Sequence, residues 1–132
     1  MILYLWIFLG AGLGGVARFA LSGLVAQHFG EGFPWGTLVI NVTGSFVIGF
    51  FATLTAPAGG KFPAGGTARQ FVMTGILGGY TTYSAFSLQT LTLARDGQWL
   101  HAAGYTGGTL ALCFVAVWLG HLCALALGSS RA

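Results

Sequence analysis

The chain has 132 residues and a formal net charge of +3, carried by five Lys or Arg against two Asp or Glu. Charged residues make up 5% and hydrophobic ones 55%, with a further 23 glycines; soluble domains carry about 25% charge. A soluble globule lacks its surface here, a disordered chain is too polar to match, and the scattered cations form no nucleic-acid stripe. The composition is that of an integral membrane protein.

A helix needs about 20 apolar residues to cross the hydrocarbon core. Four stretches reach that length, at about 3–25, 37–55, 71–93 and 102–127. Their apolar runs are continuous rather than alternating, which selects helices over barrel strands. The expected fold class is an all-α membrane protein, one domain of four transmembrane helices.

The first stretch contains one charge, Arg18, which either snorkels to the interface or lends positive potential to a pore mouth. Its start, Met1-Ile2-Leu3-Tyr4, lacks the positive region of a cleaved leader, so it reads as a retained helix. Gly10-Ala11-Gly12-Leu13-Gly14-Gly15 satisfies GxGxxG but lies inside a membrane helix, where the dinucleotide reading fails.

In the second stretch Asn41, Ser45 and Gly49 share one small, polar face. Asn41 is either an interhelical hydrogen-bonding residue or part of a cavity wall. The sequon Asn41-Val42-Thr43 lies at membrane depth. A Gly/Pro-rich loop with Lys61 follows.

The third stretch is the most polar. Gly78-Gly79 and the hydroxyl-bearing residues after them are poor helix formers, and a broken helix is expected there. Such a break is tolerated at membrane depth only where it is buried or lines a cavity, and its freed carbonyls can hold a small cation. The other reading is a continuous helix whose hydroxyls bond the i−4 carbonyls. A tight turn with Arg95 and Asp96 leads to the last stretch, which carries Thr109 and Cys113 at i, i+4.

With both termini on one side, Lys61, Arg69 and Arg131 oppose Arg18 and Arg95. So even a split permits insertion either way up, and hence antiparallel pairing of two copies. Small-xxx-small pairs suited to helix contact occur at Gly10/Gly14, Ser45/Gly49, Gly75/Gly79 and Gly104/Gly108.

The only carboxylates, Glu31 and Asp96, lie in connectors, and His28, His101 and His121 are isolated. No acid–base pair or metal motif forms, so an enzyme is not expected. A cation pathway, or a drug exporter of the small multidrug resistance type, wants a carboxylate within the spans, and none is there. What the spans offer is N–H and O–H donors (Asn41, Ser45, Thr81, Thr82, Ser84) and ring edges (Tyr83, Phe86). Both suit a small, hard anion.

Gly78-Gly79-Tyr80-Thr81-Thr82-Tyr83-Ser84-Ala85-Phe86-Ser87 resembles the GGxTTFSTFS signature of the CrcB/Fluc family of fluoride channels. Gly36-Thr37-Leu38-Val39-Ile40-Asn41-Val42-Thr43-Gly44 is similar to that family's GTLxxNxxG, and Gly14 to Phe19 to its GxxxR[WF]. The resemblance implies a dual-topology antiparallel homodimer in the bacterial inner membrane. It also implies passive, selective fluoride export that relieves fluoride toxicity, and a structural Na+ held by the Gly78 and Thr81 carbonyls. By the same resemblance Tyr83 and Phe86 present ring edges to fluoride, Asn41 gives a vestibule donor, and Thr82 and Ser84 give track hydroxyls. Tyr83 and Ala85 depart from the usual Phe and Thr. The competing readings are a small multidrug-type exporter and a membrane assembly subunit without transport.

Overall fold

The computed structural model describes residues 1–129 and is helical along almost its whole length. Arg131, counted above in the charge balance, lies outside the described residues. Helix α1 (Ile2–Phe29), α2 (Trp35–Leu54) and α6 (Trp99–Ser129) are single long helices. Each is long and apolar enough to cross a membrane. Their bounds extend the expected stretches by a turn or less at most ends.

The expected third span is assembled from pieces. Helix α3 (Gly66–Gln70) runs into a π-helical stretch, Phe71–Leu77, then α4 (Gly78–Tyr80) and, after two extended residues, α5 (Tyr83–Arg95). The helix breaks, but not at the paired glycines. Gly78 keeps helical angles (φ −64°, ψ −36°), whereas Thr81 (φ −81°, ψ 158°) and Thr82 (φ −151°, ψ 120°) are extended. Branching at Cβ makes threonine comfortable in extended backbone, and the Thr82 hydroxyl starts the next helix by accepting from Ala85 N–H at 3.2 Å.

The glycines instead bring helices together. A Cβ on Gly14 would overlap the Ile76 carbonyl, and one on Gly79 would lie 2.9 Å from Ala11 Cα. Gly10 and Gly75 face each other at the same seam, where a Cβ on Gly75 would lie 3.1 Å from Gly10 Cα. Two of the expected small-residue pairs therefore pack against one another. Between α2 and α6, Gly49 lies against Val117 and Gly120 against the Phe46 carbonyl, while Gly104 and Gly108 meet nothing within 4 Å.

The ends are closed by polar contacts. Gly97, at φ 75°, lets Gly97 N–H and Gln98 N–H reach back to the Ala94 and Leu93 carbonyls (3.1 and 2.9 Å), which ends α5. Arg69 donates to Ala52 O (3.1 Å) and Thr55 Oγ1 (2.6 Å) at the C-terminus of α2, and Lys61 donates to Leu127 O near that of α6. Both cations thus sit where the helix dipoles are negative.

Candidate functional site: a neutral cavity at the broken helix

Asn41 reaches across from α2 to the break. Its Nδ2 donates to Thr82 O at 3.0 Å, and its Oδ1 accepts from Thr82 N–H at 2.8 Å. One side-chain amide thus takes the place of a neighbouring strand for a residue whose helix has ended. The sequon is thereby explained as a structural asparagine, with one of its two amide hydrogens still uncommitted.

This pairing has a second effect. In a continuous helix, Thr82 N–H would bond Gly78 O, and Ala85 N–H would bond Thr81 O. Here the first goes to Asn41 and the second to the Thr82 hydroxyl. The carbonyls of Gly78 and Thr81 both lose their i+4 donors. They are oxygen ligands of the kind a hard cation takes, and Gly78 is exposed on the single chain.

Beside the break lies a cavity of about 320 Å³ between α2, the π-helical stretch, α5 and α6. Asn41, Ser45, Thr81, Thr82 and Thr109 supply its polar lining, and no residue in its wall is charged. Thr82 and Phe86 are buried (8% and 5% exposed). Ser84 is exposed, with its hydroxyl 3.3 Å from that of Thr82. Tyr83 packs beside Phe86, ring centroids 5.5 Å apart, yet is 74% exposed. Its hydroxyl makes no hydrogen bond with a described residue. Arg18 is half-buried on α1 and lines neither this cavity nor the next.

Sequence reasoning missed Tyr105, and it noted Thr109 with Cys113 without giving it a place. Tyr105 is fully buried, packs on Phe86 (5.1 Å) and Phe33 (5.4 Å), and donates to Gln89 Oε1 at 2.9 Å. Gln89 in turn lines a second cavity of about 400 Å³ under the α1–α2 loop, so Tyr105 stands between the two. Thr109, 3% exposed, has a hydroxyl with no partner among the described residues. A buried hydroxyl without a partner is costly unless something in the cavity takes it up. The signal for Tyr105 is weak in the sequence: it stands one turn before Thr109 on an otherwise apolar helix.

Long apolar helices and a helix break that opens beside a charge-free, largely apolar cavity with a few amide and hydroxyl groups in its wall define a multi-pass membrane protein. The chain matches the family described as "CrcB-like protein, Camphor Resistance (CrcB)" over residues 5–121. It belongs to that family. It is 67% identical to a protein of Opitutus terrae over 131 residues, 99% of this chain and 98% of the relative. It is 52% identical to one of Methylocella silvestris (97% of each chain), and 56% identical to one of Rhodospirillum rubrum (90% of this chain, 92% of the relative). All three are named fluoride-specific ion channel FluC.

Proposed function

We infer that this chain is a fluoride-specific ion channel that lets fluoride leave the cytoplasm passively. The observation that carries the reading is the cavity wall: donors without charge, beside a buried aromatic ring, in a member of this family. Fluoride gives up water only where N–H and O–H groups replace it, and a buried arginine would hold it too tightly to let it go. Asn41 keeps one amide hydrogen for this, and the Thr82–Ser84 pair, which shares one hydrogen bond, keeps one hydroxyl hydrogen. Phe86 and Tyr83 offer ring edges, whose partial positive charge suits an anion. Arg18, which lines neither cavity, is left either to snorkel to the interface or to lend positive potential at a vestibule mouth. An inside-negative potential drives anion exit by about 2.3 kcal/mol per 100 mV. Fluoride that entered as HF and dissociated inside is thereby released without an energy source.

The proposed assembly is four crossings per chain and two chains in an antiparallel dual-topology homodimer. Tyr83 and Gly78 support it, because both are exposed on the single chain at the site itself. A second copy would cover the ring and bring a second pair of freed carbonyls to the first. The Gly78 and Thr81 carbonyls are proposed to hold a structural Na+, which is not transported. Sodium would supply charge compensation there and fix the break.

The test is fluoride efflux from loaded proteoliposomes with a potassium ionophore clamping the voltage. Rapid fluoride release without comparable chloride release is expected. Equal chloride release, or none of fluoride, overturns the reading in favour of an assembly subunit or another transporter. Replacing all Na+ by a large organic cation is expected to lower the stability or flux of the purified protein. Indifference would remove the sodium assignment alone.

A further inference from the structure

The chain has two cysteines and two methionines. Met1 stands at the N-terminus and Cys123 is exposed on α6. The other two, Cys113 on α6 and Met73 in the π-helical stretch, line the same charge-free cavity beside the break. Cys113 is half-buried, and one turn before it stands Thr109 with its buried, unpartnered hydroxyl. Anion conduction gives no reason for two sulfurs in this wall: a thioether donates no hydrogen bond, and a thiol donates a weak one.

We propose that the cavity is a binding site for a soft d10 cation of the Ag+ or Hg2+ class, with the Cys113 thiolate and the Met73 thioether as ligands, and that occupancy closes the fluoride pathway. Thiolate and thioether together select soft, low-coordinate metal ions over the hard cations that carbonyls take. The methionine side chain is unbranched and has three rotatable bonds, so it can follow a ligand within the cavity. With Ag+ the Cys113 S–H bond breaks and an S–Ag bond forms; the proton leaves to water, and Met73 Sδ donates a lone pair. Nothing is oxidised or reduced. Thr109, which lines the same cavity, leaves its buried hydroxyl free to meet a ligand or its bound water there. A metal held there occupies the volume through which fluoride passes. The site rests on the channel reading for its functional effect only, since metal binding can be read without flux.

The experiment measures fluoride efflux in chloride-free nitrate buffer with and without silver nitrate, each protein being compared with its own silver-free rate. Silver is expected to slow the parent and Cys123→Ser by at least about tenfold, and Cys113→Ser by less than about twofold. Met73→Leu is expected to need about tenfold more silver for half-block. In parallel, silver retained after gel filtration is expected at about one per chain in Cys123→Ser and at background in the double variant Cys113→Ser/Cys123→Ser. Block of Cys113→Ser equal to that of the parent, loss of block in Cys123→Ser, or equal silver retention in the single and double variants overturns the site. Unchanged silver sensitivity in Met73→Leu removes the two-sulfur ligand set. A parent that retains silver but releases no fluoride would contradict the channel, not the metal site.

Discussion

Replacing Asn41 by alanine withdraws both partners of the Thr82 peptide at once, an N–H at 2.8 Å and a carbonyl at 3.0 Å, on a residue only 8% exposed. Each orphaned buried group costs about 1–3 kcal/mol, so the upper bound is ~6 kcal/mol. The break can partly heal, because Thr82 N–H can return to Gly78 O as in an unbroken helix, at the expense of the Thr82 cap on Ala85 N–H. That relaxation brings the expected loss to about 2 kcal/mol. It still exceeds the ~0.6 kcal/mol average for hydrogen bonds between membrane helices. The assay is unfolding of the purified protein by titration of SDS into mixed micelles, with fluoride efflux measured on the same preparation. Asn41→Asp separates the two roles of the residue. It keeps an acceptor for Thr82 N–H, sets a second oxygen against Thr82 O, and adds a negative charge to the cavity wall. Its flux is expected to fall further than its stability. Should Asn41→Ala match the parent within about 0.5 kcal/mol while flux persists, the claim that Asn41 holds the break is refuted.

Three further outcomes are expected. Phe86→Ile keeps the chain folded, with an unchanged elution position on gel filtration, but loses the ring edge, and fluoride efflux falls by about tenfold or more, ~1.4 kcal/mol of barrier; undiminished flux would take Phe86 out of the pathway. Tyr83→Phe removes a hydroxyl that bonds no described residue, so stability stays within about 0.5 kcal/mol and flux within about twofold; a larger loss would assign the hydroxyl a role. In Gly79→Ala the new methyl meets the Ala11 backbone, which cannot rotate aside, and about 1–3 kcal/mol is lost in the same SDS titration. Gly12→Ala, with nothing within 4 Å, serves as the control, and equal effects at the two positions would undo the close-packing argument.

The sequence carries the long helices plainly, because twenty apolar residues have few alternatives to a membrane helix. It also carries the fact of a broken third span. Where the break falls was less legible: glycine has the lower helix propensity, yet close contact of Gly79 with Ala11 of α1 outweighs propensity, and the helix runs on through Gly78 and Gly79. The same competition explains why Gly10/Gly14 and Gly75/Gly79 can be picked out as contacts but not matched to each other. Asn41 stood out as a polar residue in an apolar helix, but its spacing to Ser45 and Gly49 says nothing of a partner 41 residues away. Tyr105 and the caps made by Lys61 and Arg69 depend on how α6 and the loop after α2 come together, which no local pattern encodes.

Because Thr82 is held by a side chain of α2 and not by its own helix, the third span cannot slide or rotate by a turn without releasing Asn41 from both of its bonds. The seam of glycines against α1 adds a second stop, since a shift would drive larger side chains into backbone. The register between Phe86 and the hydroxyl of Thr109 is therefore set by two neighbouring helices at once. Pinned in this way, the backbone of the break is held at a fixed spacing from α2 and has little freedom to adjust, whatever the longer side chains of the wall do.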